Sequence, residues 1–356
     1  MSQAIMMCSY GGPYKTEDII PFIRNATNGR GIPEHRLAEV GEHYKIFGGA
    51  SPINARNDEI MQALAAELSR RGIDVPVVIG NRNWHPFFAD TLRNLRDRGI
   101  TDVVCLFTAA YECYSGCRQY RENLAAALAE IGGEDDFRFR RARAFYTTKG
   151  FVQANVQAAV AALRELPPKA HLTFVTHSIP TPMEQGSGRP GLPSYVQQHL
   201  AVCELVAAQV GDILGRDIPV DLAFCSRSGP PHAPWLEPDI NDRMQELADS
   251  GVRELAVLPI GFINDHMEVV YDLDTEAKAT AQRLGIEYRR AATAGTDPAF
   301  IASLADVVCE QIWADFRGED ALEPTWPTVS AGCCVPHDNY EKLPALFEDA
   351  STDAAK

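Results

Sequence analysis

The residues best suited to chemistry are a histidine, a row of acids and a group of tyrosines, most of them just past short apolar runs. His177 lies at the end of the stretch His171–Ser178, and Pro180 breaks the regular structure beyond it. A histidine there turns from a buried strand into open space, and its imidazole accepts protons near neutral pH. The chain has nine histidines, so a satisfied core position is the plain alternative for any one of them. Glu268, Asp272 and Glu276 recur at i, i+4 and i+8, which puts three carboxylates on one helix face. Like charges at that spacing destabilise a helix by roughly 0.2–0.5 kcal/mol per pair. The row, with Asp274 beside it, reads either as hard ligands leading a divalent cation inward or as a solvated acidic face. One segment runs against the overall charge: Arg24, Arg30, Arg36, Lys45 and Arg56 outnumber Glu34, Glu39 and Glu42, which offers an anionic substrate a place to dock.

These groups need a scaffold that brings them together. Residues 4–10, 75–82, 102–110 and 137–145 read as strands in the first half, and 171–178, 221–228, 254–262 and 286–293 in the second. Amphipathic stretches lie between them. Ile60, Leu64 and Leu68 repeat at i+4 behind Ser51-Pro52, with Ser51 as cap. Phe88, Leu92 and Leu95 mark a helix from Pro86 to Arg98 that stops at Gly99, and Ile301, Leu304, Val308 and Ile312 mark one from Asp297 to Phe316. Strands apolar on both faces, alternating with helices, make an α/β protein of parallel sheets covered on each side. In such sheets ligands bind beyond the carboxyl ends of the strands. Five strand ends carry reactive types: Tyr10 to Tyr14, Tyr111 to Tyr120, Thr176 to Pro180, Cys225 to Pro231, and Asn264 to Glu268. Their convergence predicts one catalytic cleft between two similar halves, 1–149 and 150–316, with four strands each. Residues 317–356 lose periodicity, gather acids and prolines and hold Cys333-Cys334, which predicts a frayed end or an extension tied down by something other than packing.

Composition narrows the class. The 356 residues carry 33 Lys+Arg against 48 Asp+Glu, a net −15, so no basic excess exists to neutralise nucleic-acid phosphates. An apolar share of 46% is ordinary for a globular chain. No apolar run approaches the ~18–20 residues of a membrane span, and the first residues lack signal-peptide character, which points to the cytoplasm. Nine cysteines then read as thiols or metal ligands rather than a disulfide scaffold. Gly186-Ser187-Gly188-Arg189-Pro190-Gly191 matches G-x-G-x-x-G literally, yet it lies well past its strand and contains a proline, so the nucleotide reading fails.

At the strand ends the sequence resembles the ferrochelatases, specifically the coproporphyrin ferrochelatases of Gram-positive bacteria. The matching stretches are Gly11 to Tyr14, His43 to Lys45, Gly48 to Pro52, Thr176 to Pro180, Ser226 to Pro238, and Pro259 to Glu268. They come in order within a resemblance that covers about residues 5–315. The resemblance implies two Rossmann-like domains of the type II chelatase fold, acting as a monomer that inserts ferrous iron into coproporphyrin III. It implies that His177 takes protons from the pyrrole nitrogens, with Glu268 beside it and Tyr14 on the other face of the ring. Asp272 and Glu276 match a second cation site, so the implied metal set is His177, Glu268, Asp272 and Glu276. Substrate contacts are implied at Tyr14, Lys45, Ser51 and Tyr120, Lys45 standing where arginine is frequent.

Some members of that family carry a 2Fe-2S cluster on one internal and three C-terminal cysteines. Here Cys117 fits the internal position and Cys333 with Cys334 the C-terminal group, while Cys113 or Cys309 would complete four thiolates. Such ligation would dock a tail of low apolar content. The alternatives are buried thiols throughout with a free tail pair. For the whole chain they are a cobalt or nickel chelatase of a reduced tetrapyrrole, or a carrier that binds tetrapyrrole or heme without turnover.

Overall fold

The computed structural model describes residues 2–27, 33–188, 191, 193–228, 232–312, 333–334 and 343–347. Strands β1 (Ser2–Ser9), β2 (Val77–Asn81), β3 (Ile100–Phe107) and β4 (Arg138–Arg141) form one sheet in the order β2-β1-β3-β4. Strands β5 (His171–His177), β6 (Val220–Cys225), β7 (Glu254–Leu258) and β8 (Glu287–Arg290) form a second, β6-β5-β7-β8. Every pairing within each sheet is parallel. The same order appears twice, so the duplication read from the element count is a duplication of topology. Residues Val103 to Phe107 and Leu172 to Thr176 are buried throughout, as double-sided strands must be.

Helices α1 (Ile19–Ala26), α2 (Glu34–Ile46), α3 (Ile53–Arg70), α4 (Phe88–Asp97) and α5 (Gln119–Ile131) belong to the first half, and α6 (Lys149–Arg164) packs on β7 and β8 of the second sheet. Helices α7 (Thr181–Gln185), α8 (Tyr195–Leu214), α9 (Ile240–Asp249), α10 (Met267–Val270), α11 (Lys278–Leu284) and α12 (Pro298–Ile312) come after them in the chain. The predicted inward faces are the buried ones: Ile60, Leu64 and Leu68 on α3, and Phe88, Leu92 and Leu95 on α4. The start of α3 differs by one residue. Pro52 takes the cap position, and Ser51 Oγ accepts from Ile53 N at 3.4 Å.

The predicted split at residues 149–150 falls at the start of α6, where Thr148 Oγ1 accepts from Phe151 N. The core does not divide there. Helix α12 packs on both α6 and α3, Phe300 meets Phe145 and Phe151, and Arg71 Nη1 reaches Asp306 at 2.5 Å. The last helix thus returns to the first half and closes one shared apolar core. Phe316, the predicted end of that helix, lies outside the described residues, as does most of 317–356. Of the tail, Leu346 is joined to Arg121 of α5 by reciprocal main-chain and side-chain bonds at 3.3 and 2.8 Å.

Candidate active site

His177 closes β5 at the carboxyl end of the second sheet, where its ring leaves the strand. Its Nδ1 is bound to the Ser178 carbonyl, which can only accept, so the hydrogen of the neutral ring sits on Nδ1. Nε2 is left facing Glu268 Oε1 at 3.3 Å. His266 Nδ1 stands 3.7 Å from the other carboxylate oxygen and accepts from Glu268 N, capping α10. Burial lowers the imidazole pKa of His177, but the charge and hydrogen bond of Glu268 outweigh it and raise the value to about 8. Burial raises Glu268, and the His177 charge reverses this and brings it to about 2. His266 is pushed the other way: burial lowers its pKa against the pull of Glu268.

The acidic row is not one regular α-helix. After α10 the backbone opens into a π-turn over Asp272–Ala277, with Glu276 N bonded to Tyr271 O five residues back, before α11 resumes. Burial raises the Asp272 carboxyl to about 7, with the charges of Glu268 and Glu276 adding to it and the Ser226 hydroxyl bond opposing it. Ser226, at the end of β6, holds φ +62, an unfavourable backbone for a side chain with Cβ, and from there donates to Asp272. Glu276 is exposed at the outer end of the row. Asp274 does not join it. It makes a bidentate pair with Arg290 at 2.8 and 2.9 Å, and Arg290 also holds Asp265, which anchors the loop leading to His266.

The first half supplies the facing wall. Gly12 leaves room for Ser51, since a Cβ on it would come within 2.6 Å of the serine Cβ. Asn264 Nδ2 donates to Asn57 at 2.8 Å and Asn57 to Ser9 at 2.9 Å, a buried relay that ties the two halves together at the cleft. His43 of α2 stacks on Tyr271 at 3.8 Å, nearly parallel. Tyr14 is 54% exposed, and its phenol is raised first by partial burial and then by the charge of Asp58. The phenol that senses Glu268 is Tyr44, raised by burial and then by the charges of Tyr10 and Glu268. Lys45 is exposed and pairs with Glu42 at 2.5 Å. The basic excess of this segment is locally neutralised: Arg24 pairs with Glu34, Arg36 with Glu39 and Arg56 with Glu59. Arg30 lies outside the described residues.

Tyr120 is placed differently from the other expected contacts. Its ring is buried in the core of the first half, stacked on Phe107 at 5.1 Å, and Arg82 lies over both it and Tyr10. It lies in the first turn of α5. The sequence pattern assigns no role to Tyr44, His266 or Ser226, although all three lie in the family-matching stretches. Their signal was position beside a chosen residue.

A ferrochelatase family model matches residues 2–312. The chain belongs to the ferrochelatase family. It is 46% identical over 348 residues to the coproporphyrin III ferrochelatase of Streptomyces coelicolor, covering 93% of this chain and 92% of that protein. It is 44% identical to that of Frankia alni over 99% of this chain and 90% of that one, and 41% identical to the ferrochelatase of Rhodopirellula baltica over 87% and 86%. Among solved structures, SirB from Bacillus subtilis with Fe3+ shares the fold, with a TM-score of 0.52, 14% identity and coverage of 89% and 99%. The type II chelatase architecture expected from the sequence is the one this ferrochelatase has.

A second cluster lies away from the cleft. The thiols of Cys117, Cys333 and Cys334 are fully buried and lie within 4.8 Å of one another. Bonds from Cys333 and Cys334 hold the Cys117 thiol well below its usual pKa against burial, helped by Arg141 and Arg121. Arg141 pairs with Glu112 at 3.0 Å, yet its Nε and Nη1 are buried with no hydrogen-bond partner among the described residues. The neighbouring Cys117 thiol raises those of Cys333, to about 12, and Cys334, so the three converge on one thiolate at Cys117. Three converging buried thiols beside the unspent donors of Arg141 fit an anionic, thiolate-bound group. Of the two cysteines expected as a fourth ligand, Cys309 is ruled out, because it sits on α12 in the shared core beside Arg71. The Cys113 thiol is engaged with Ser115 at 3.3 Å, outside the group of three.

Proposed function

We propose that this ferrochelatase inserts ferrous iron into coproporphyrin III, and that His177 is the base. The observation that carries the reading is the pair of His177 Nε2 and Glu268 at 3.3 Å at the end of β5, open to the cleft between the two sheets. Metallation exchanges two pyrrole N–H protons for one Fe2+, so the reaction needs a proton acceptor beside the ring and an exit for each proton. With Nδ1–H spent on Ser178, the neutral imidazole offers Nε2 as that acceptor, and Glu268 stabilises the imidazolium that forms. Asp272, poised near pH 7, and exposed Glu276 continue the row outward. Oxygen ligands of that kind suit a hard dication on its way in, and protons on their way out. Tyr14 and Ser51 border the opposite wall, and Lys45 at its rim would meet a propionate.

The cysteine group would hold a 2Fe-2S cluster, with Cys117, Cys333 and Cys334 as thiolate ligands and Arg141 as a nearby counter-charge. When bound, it supplies a crosslink between the tail and the first half. Among the described residues no helix is long and apolar enough to cross a membrane.

The test is ferrous iron uptake followed by absorbance, with coproporphyrin III and protoporphyrin IX as rival acceptors. The reading expects the tetracarboxylate porphyrin to be preferred and His177→Ala to abolish uptake. Equal rates for His177→Ala and the intact protein would end the assignment of the base. Stoichiometric porphyrin binding without turnover would make the chain a carrier.

A further inference from the structure

Directly behind His177 lies a buried polar network that the cleft chemistry does not use. Thr176 precedes the base on β5, is fully buried, and has its hydroxyl 2.8 Å from Tyr195 Oη and 2.9 Å from His199 Nε2. Tyr195 and His199 lie one turn apart at the start of α8. The Tyr195 hydroxyl donates to the main-chain oxygen of His177 at 3.1 Å.

The connections dictate where the protons sit. His199 Nδ1 is 2.7 Å from the Tyr195 carbonyl, an acceptor only, so Nδ1 carries the ring hydrogen. Burial keeps this ring neutral, with a pKa of about 3. Nε2 therefore accepts from Thr176, and the one hydrogen of the Tyr195 hydroxyl is shared between the Thr176 hydroxyl oxygen and the His177 carbonyl.

Other elements hold the network in place. Tyr195 N donates to Ser187 Oγ at 2.7 Å, and Tyr111 stacks on His199 at 3.5 Å. Gly261, after β7, admits the threonine, since a Cβ there would come within 2.0 Å of Thr176 Oγ1. On the far side of the base, Ser178 N donates to Cys225 O and Ser178 Oγ to Leu236 O, both at 2.8 Å.

We infer that Tyr195 is a positioning residue for metal insertion: with Thr176 and His199 it fixes the His177 backbone and so sets where Nε2 meets the bound macrocycle. The inference rests on His177 acting as the base. Small displacements of a reacting group cost large factors in rate, up to about 10² for an ångström.

The test uses the full chain carrying Tyr195→Phe, Thr176→Val or Thr176→Ser. Tyr195→Phe and Thr176→Val should lower kcat for iron insertion into coproporphyrin III by about tenfold, while KM and porphyrin affinity by fluorescence stay within about twofold. Thr176→Ser, which keeps the hydroxyl, should stay close to the intact protein. The ring resonances of His177 in NMR should shift in Tyr195→Phe, a readout that needs no turnover. If the intact protein proves inactive, the base reading fails while those resonances still decide the positioning. An unchanged kcat and unchanged resonances in Tyr195→Phe, or Thr176→Ser as slow as Thr176→Val, would overturn it.

Discussion

His177 and Glu268 keep 31% and 43% of their side-chain surface open, whereas Cys117, Cys333 and Cys334 keep none. The cleft sets opposite charges against partial burial, so its groups fall at graded pKa values of about 2, 7 and 8 for Glu268, Asp272 and His177. That is what proton exchange during turnover requires. The cysteine group places thiols against buried arginines, which suits holding a charged group rather than passing protons. One region is built to exchange with solvent and the other to exclude it, and substitutions should separate them.

The largest effect is expected at the base. His177→Ala should lower iron insertion at least about 100-fold, the usual scale of general base catalysis, with porphyrin binding retained. Cys117→Ser should leave insertion within about tenfold of the intact protein while it removes the thiolate of the cysteine group. A His177→Ala enzyme at near-normal rate, or a Cys117→Ser enzyme as dead as His177→Ala, would erase the distinction between the regions.

Next comes the held group itself. Protein purified without oxygen should be brown, with absorption between roughly 400 and 550 nm, and Cys117→Ser should lose the colour together with its acid-labile sulfide. Thermal unfolding should fall by several degrees in the same variant, because ligation contributes folding energy to the tail. Colourless intact protein would leave three buried thiols and no cluster.

The two regions also differed in how far the sequence exposed them. All eight strands follow from short apolar runs, as double-sided burial requires, and the inward faces of α3 and α4 from period-3.6 patterning. His177 was legible because a strand ended in a histidine and a proline, and Glu268 because acids recurred at helical spacing. The π-turn was not legible. Its i, i+4, i+8 spacing is the same as that of an α-helix, and only the backbone bond from Glu276 to Tyr271 distinguishes them. The burial of Tyr120 was not legible either, because a residue of a strand-end segment had already passed into α5, where its side chain turns to the core. Tyr44 was hidden for the opposite reason: α2 is weakly amphipathic, so nothing in its pattern said which face meets the second half. In the cysteine group, residues 333 and 334 come to Cys117 from the far end of the sequence, and no local rule sets such a distance.

A smaller effect sharpens the electrostatic half of the comparison. If Nε2 of His177 must be neutral to accept a proton, the insertion rate rises with pH, with a midpoint near 8 in the intact protein. Glu268→Gln removes the charge that raises the imidazole most, leaving the larger lowering by burial opposed only by the Ser178 carbonyl and the Asp272 charge. The midpoint should move down, toward or below the ordinary histidine value of about 6.5, whatever happens to the maximal rate. The sign is diagnostic, since a limb that moves up or stays in place would mean that a different group controls it.

The smallest effect is expected at the cleft rim. Lys45 is exposed and its ammonium sits 2.5 Å from Glu42, an i,i+3 surface pair of the kind worth about 0–1 kcal/mol. So weak a pair releases the ammonium readily to a propionate, and the carboxylate it leaves behind is solvated. Lys45→Ala should therefore raise KM for coproporphyrin III by about twofold to fivefold, within the span of one exposed ion pair, with kcat unchanged. The increase should shrink as salt is added, since the contact is open to screening. A drop in kcat would place Lys45 among the groups that act on the reacting nitrogens, and an unchanged KM at low salt would remove it from the porphyrin contacts.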